Sequence, residues 1–276
     1  MEKTDDIREV VRRKYADVVT GNRSCCGAPS SCCGSATAVQ ISESMGYSPE
    51  QMASVPEGAN LGLGCGNPVA LASIRAGETV LDLGSGAGFD AFLAAKAVGD
   101  TGHVIGVDMT PEMISKAREN ARKGGYRNVE FRLGEIEHLP VADGSVDLII
   151  SNCVINLSPD KPQVFADAFR VLRPGGRLTV SDIVLLKALP PALASSVAAY
   201  AGCIAGASMK EDYLSMLRRA GFTQVEVVGE SPFNIGDMVN DPLVKAILDE
   251  AKLSVDDARE AGRSVVSLKV VARKAL

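Results

Sequence analysis

Seven cysteines stand in a chain of 276 residues that has only two histidines, His103 and His138. Cys25, Cys26, Cys32 and Cys33 form a CC-x5-CC pattern in a small, glycine-rich stretch. Cys65 lies in LGLGCGNP, Cys153 in SNCVINLS and Cys203 in YAGCIAGAS. Soft thiolates select thiophilic centres. Each of Cys65, Cys153 and Cys203 taken alone reads equally as a small buried apolar residue. The CC-x5-CC segment suits zinc less well than C-x2–4-C spacing does, because adjacent cysteines point apart. The two histidines read as structural or surface groups, so a conventional imidazole base is scarce.

The surrounding pattern predicts how these thiols are placed. Short apolar runs at 79–84, 103–108, 129–134, 145–152 and 177–184 read as buried strands, and helical spacing lies between them. Such alternation predicts an α/β fold, a doubly wound, mostly parallel, Rossmann-like sheet with helices on both faces. FTQVEVVGES and SVVSLKVVARK add two late strands, for seven in all. Ser48 with Pro49, and Thr110 with Pro111, read as helix starts; Gly124 reads as a helix stop. The stretch 158–176 reads as helical through RPGG, and residues 190–221 read as all-helical. The expected organisation is an N-terminal helix and cysteine-rich segment (1–60), a core with a helical insertion at about 186–220 (61–230), and a C-terminal helix with a final edge strand (231–276). In an open parallel sheet, ligands bind beyond the carboxyl ends of the strands. Cys153 follows the fourth strand, and the segments carrying Cys65 and Cys203 can reach the same edge.

The first strand runs into Leu81-Asp82-Leu83-Gly84-Ser85-Gly86-Ala87-Gly88, a glycine-rich turn opening a helix. Glycine lets such a backbone turn tightly and approach a ligand. The second strand ends in Asp108, twenty residues after Gly88, where a carboxylate can accept from both hydroxyls of a ribose. Glu135, after the third strand, is placed to meet an adenine amino group. The spacing is G-x-G-x-G, not the G-x-G-x-x-G of dinucleotide sites.

From about 76 to 184 the chain resembles the class I S-adenosylmethionine-dependent methyltransferases, through LDLGSGAG, Asp108 and RVLRPGG. The resemblance implies a cofactor site of Asp82, Gly84, Gly86, Asp108 and Glu135, with Ser85, Gly88, Met109, Ile136 and Asn152 beside them. SNCVINLSPDK, GCGNP, AGCIAGA and an N-terminal CC pair extend it over nearly the whole chain, where it is similar to the arsenite methyltransferases. That implies methyl transfer from S-adenosylmethionine to trivalent arsenic in arsenic detoxification. Cys65, Cys153 and Cys203 would hold an As(III) thiol complex as substrate. An N-terminal cysteine, Cys32 or Cys33, would form a disulfide relay reset by a thiol reductant of the glutathione or thioredoxin type. Ile155 stands where the family often has a further cysteine. Two other readings remain open at this point: a C- or O-methyltransferase of a small organic molecule, and a non-enzymatic thiol protein that sequesters or senses a metal.

Composition narrows the partners. Net charge is −5 without a Lys/Arg run, which argues against nucleic acid. No apolar stretch approaches bilayer length, and the charged N-terminus does not read as a signal peptide. A cytoplasmic location follows as the expectation, and with it cysteines kept as thiols. Trp is absent and aromatics are 4%, so the core is expected to be aliphatic.

Overall fold

The computed structural model describes residues 2–21, 38–196, 199–200, 202–232 and 254–276. Its frame is one sheet: β1 (Thr79–Leu83), β2 (His103–Asp108), β3 (Val129–Leu133), β4 (Val146–Asn152), β5 (Leu172–Leu185), β6 (Ser208–Met209), β7 (Thr223–Pro232) and β8 (Val265–Arg273). The order is β3-β2-β1-β4-β5-β8-β7, with the two-residue β6 beside the end of β5. β1 to β5 pair in parallel, while β8 runs antiparallel to both β5 and β7. The seven expected strands are therefore joined by a short eighth. β1, β2 and β4 are buried almost continuously, as strands covered on both faces are, while the edge strand β7 is largely exposed.

The described helices are α1 (Glu2–Thr20), α2 (Ala38–Ser44), α3 (Pro49–Ala53), α4 (Pro68–Leu71), α5 (Phe89–Val98), α6 (Pro111–Gly124), α7 (Lys161–Val171), α8 (Pro191–Ala194), α9 (Lys210–Arg219) and α10 (Val255–Gly262). Ala91, Phe92 and Ala95 of α5 and Ile114 and Ala117 of α6 bury one face with Val80, Val104 and Leu148. Val164, Phe165 and Ala168 of α7 and Tyr213 and Leu217 of α9 bury the other with Leu81, Ile149 and Val180. The core is mainly aliphatic, as expected. None of the described helices is long and apolar enough to cross a membrane.

Several local expectations need correction. Ser48 does cap α3, in a reciprocal capping box with Gln51. Thr110 occupies the N-cap of α6, but its side chain makes no capping bond; its N–H is held instead by the Asp108 carboxylate. The left-handed stop is Gly125, not Gly124. LRPGG is not helical: α7 ends at Val171, Leu172 is extended and begins β5, and Pro174 has no N–H with which to continue a helix. Nor is 190–221 all-helical among the described residues, since turns and β6 separate α8 from α9.

One buried ion pair ties the approach to β1 onto β5. Arg177 donates to both Glu78 oxygens at 2.7 and 2.9 Å, and to the carbonyls of Ala72 and Ser73. Such a fork satisfies a buried guanidinium that would otherwise be costly.

Candidate active site

β1 and β4 are neighbours, yet the chain leaves β1 toward β2 and leaves β4 toward β5. Their carboxyl ends therefore open at a topological switch point, the usual ligand crevice of such sheets. The glycine-rich turn follows β1, and Cys153 follows β4 directly.

The turn is braced by Asp108. One of its oxygens accepts from Gly86 N–H at 3.0 Å and the other from Thr110 N–H at 2.8 Å. Burial raises its pKa, while those N–H groups favour its charged form. Gly84 has φ 66°, and a Cβ there would lie 2.4 Å from Val154, so only glycine fits. Asp82 is buried, and its pKa is pushed well up by burial and then by Asp90 and Asp108. Asp82 Oδ2 and Ser85 Oγ are buried without a hydrogen-bond partner. Orphaned polar atoms of this kind, around a turn of left-handed glycines, suit a polar ligand and fit the methionine and ribose end of S-adenosylmethionine. Gly88 packs against Phe92 and Phe131, Met109 borders the cysteine cluster, and Ile136 is buried in the core.

Glu135 faces α1. Arg12 donates to its Oε1 at 2.9 Å, and Arg8 Nε lies 3.6 Å from its Oε2. Arg8 also donates to the buried Glu137, at 3.1 Å. The N-terminal helix thus lies over the edge of the site. Arg8, Val11, Arg12 and Tyr15 share one helical face, but their partners are more than a hundred residues away and escape a local reading.

Asn152 serves the cysteine loop. Its Oδ1 accepts from Cys65 N–H at 3.0 Å, and its Nδ2 donates to Gly66 O at 2.8 Å and Tyr47 Oη at 3.0 Å. Tyr47 in turn donates to Asp90 at 2.6 Å, and burial lifts the Asp90 pKa to about 6. Asn152, expected beside the cofactor, has its amide engaged with the segment carrying Cys65.

The three downstream thiols are neighbours. Cys153 and Cys203 share one buried cluster with Cys65 packed against it, and Cys153 bears on the titration of both other thiols. Cys153 and Cys203 are buried, Cys65 partly so. Each outer thiol also rests on a backbone oxygen: Cys203 Sγ donates to Cys153 O at 2.9 Å, and Cys65 Sγ to Ser181 O at 3.5 Å. Ser181 O also accepts from Cys153 N–H. Among the described residues no group of three or more His, Cys, Asp or Glu is arranged to hold a metal ion, the three thiols included. Cys153 and Cys203 have φ of 59° and 64°, in the left-handed region that non-glycine residues seldom adopt. The Cys203 contact favours a Cys153 thiolate, but the Cys65 contact and burial outweigh it and push Cys153 well up. Cys203 is raised by its contact with Cys153 and by burial, and Cys65 by burial. Cys32 and Cys33 lie outside the described residues.

A methyltransferase-domain family model matches residues 74–221. The arsenite methyltransferase of Halobacterium salinarum is 51% identical over 267 residues, covering 92% of this chain and 68% of that protein. The chain belongs to the arsenite methyltransferase family. A further arsenite methyltransferase, from Aquipseudomonas alcaligenes, is 43% identical over 63% of this chain, and the match spans about half, 52%, of its length. The solved structure of an arsenic(III) S-adenosylmethionine methyltransferase from Chlamydomonas reinhardtii superposes with a TM-score of 0.62 at 34% identity, covering 86% of this chain and 73% of that one. As an arsenite methyltransferase family member the chain is an enzyme, which sets aside the reading as a sequestering thiol protein.

Proposed function

We propose that this protein transfers methyl groups from S-adenosylmethionine to trivalent arsenic held by Cys65, Cys153 and Cys203. The carrying observation is that Cys65, Cys153 and Cys203 pack in one cluster at the switch point of the sheet, where Val154 lies against Gly84 of the glycine-rich turn. In this reading the turn at 84–88 and Asp108 hold the cofactor. When bound, S-adenosylmethionine supplies a sulfonium methyl that the arsenic lone pair can take as the sulfonium recovers its bonding electron pair.

The protein's task is capture and orientation. An As(III) thiol complex exchanges onto the three cysteines; each new As–S bond replaces one to a small thiol, which leaves carrying the cysteine's proton. Cys203 and Cys65 leave their backbone carbonyls in doing so. Arsenic attacks through a lone pair, so no proton leaves the nucleophile and no general base is needed there. After methylation the arsenic is pentavalent. A thiolate of Cys32 or Cys33 then attacks the arsenic-bound sulfur of Cys65. The new disulfide forms, and the As–S electron pair returns arsenic to the trivalent state. A small thiol or a thioredoxin-type protein reduces that disulfide.

The test is incubation of the purified protein with As(III), S-adenosylmethionine and a thiol reductant, with the arsenic species separated. Methylated arsenic is expected. Bound S-adenosylmethionine without any methylated arsenic would move the acceptor to an organic molecule.

A further inference from the structure

Helix α1 delivers a group to the thiol cluster that the reaction above does not use. Arg8, Val11, Arg12 and Tyr15 are spaced as one face of a helix. Val11 is 1% exposed and packs with Cys153, Cys203 and Ile183, and Tyr15 packs against the same cluster. Arg12 on Glu135 and Arg8 on Glu137 clamp the helix at its other end, and Glu137 is itself held by Ser158 Oγ at 2.6 Å. The clamp sets Tyr15 against the cluster that holds Cys153 and Cys203.

We propose that the Tyr15 hydroxyl is a positioning group for the arsenic site, directing the Cys203 sulfur toward the captured metalloid. The inference rests on the function proposed above.

Cys203 is held through both its backbone and its thiol. Its backbone is fixed in the left-handed region, with its N–H on Tyr200 O at 2.9 Å. Its S–H points at Cys153 O. When arsenic replaces the thiol proton, that bond is lost, because the sulfur has nothing left to donate. A sulfur without its proton accepts hydrogen bonds, and Tyr15, packed against the same cluster, brings a phenol O–H donor to it. A phenol, with an ordinary pKa of about 10, carries its proton at neutral pH, as a donor must. Tyr15 therefore takes over orientation of the sulfur when the resting contact breaks.

The test compares the full-length wild-type protein with Tyr15→Phe and Arg12→Gln. As(III) binding is followed by the ultraviolet absorption of the As–thiolate bonds without S-adenosylmethionine, and KM is measured separately for each substrate. Tyr15→Phe keeps the ring and its packing. It is expected to weaken As(III) binding and raise the As(III) KM about tenfold, the size of one hydrogen bond, with the S-adenosylmethionine KM within about twofold. Arg12→Gln, which loosens the clamp, is expected to weaken As(III) binding in the same direction. Wild-type As(III) affinity in Tyr15→Phe would overturn the proposal, as would equal losses toward both substrates. A wild-type protein that binds no As(III) would overturn the underlying reading as well, and is distinguished by that result.

Discussion

The thiol of Cys203 donates to the backbone carbonyl of Cys153 at 2.9 Å, and both residues hold a left-handed backbone. The pair comes from different parts of the chain, one after β4 and one between α8 and β6. Two uncommon backbone conformations at neighbouring cysteines cost free energy that packing must offset. Here the buried cluster of Leu157, Ile183, Leu185 and Val265 surrounds them. Site strain of this kind is consistent with thiols held for capture and not merely for packing.

Asn152 holds Cys65 in place through its backbone N–H. Asn152→Ala removes that bond and leaves Tyr47 and Asp90 short of a partner. We expect arsenic methylation to fall about 10- to 100-fold, and stability by about 1–3 kcal/mol. Faster labelling of Cys65 by a thiol reagent, together with the lower melting temperature, would mark the freed loop. Gly64→Ala should act similarly, because at φ 121° its Cβ would meet the Asn152 amide at 2.7 Å. Unchanged labelling and turnover in both variants would remove Asn152 from the site.

How much of this was legible beforehand depends on distance along the chain. The apolar runs before Gly84, Asp108 and Cys153 announced strands, and their glycine or polar ends announced the crevice. Ser48 with Pro49 was readable as a local helix start, and Ser48 is the cap. The roles of Asn152 and Arg12 were not readable, since their partners are 87 and 123 residues distant. The left-handed conformations of Cys153 and Cys203 were equally hidden, because side-chain type there gives no hint of φ > 0. LRPGG misled because the apolar spacing of α7 carries past its end into Leu172, where β5 takes over.

Arg177 and Glu78 form the fork that anchors the chain before β1. Arg177→Met leaves the Glu78 carboxylate and the carbonyls of Ala72 and Ser73 without their donor. Chemical denaturation should show a loss of about 3–5 kcal/mol. A change under 1 kcal/mol would mean that water or rearrangement replaces the ion pair.

Asp182 is wholly buried, and burial raises its pKa from 3.8 to about 7, although Ile183 N–H, Tyr213 and Lys161 pull it partly back. The folded state then holds its proton more tightly than the unfolded chain. Between about pH 4 and pH 7 the native state binds more protons at this site, so its contribution favours folding at the acid end and declines as pH rises. Asp182→Asn cannot titrate. Melting temperatures from pH 5 to pH 8 should fall less steeply with pH in this variant than in wild type. Parallel curves would show that Asp182 titrates alike in both states.

The most direct test is Cys153→Ser, assayed for S-adenosylmethionine binding by calorimetry and for methylated arsenic by separation of arsenic species. Cys153 packs in one cluster with both other thiols and follows the strand end at the centre of the crevice. The account predicts wild-type cofactor affinity and no methylated arsenic. Arsenic methylation at the wild-type rate would contradict it, because the thiol cluster would then not be where the metalloid is held.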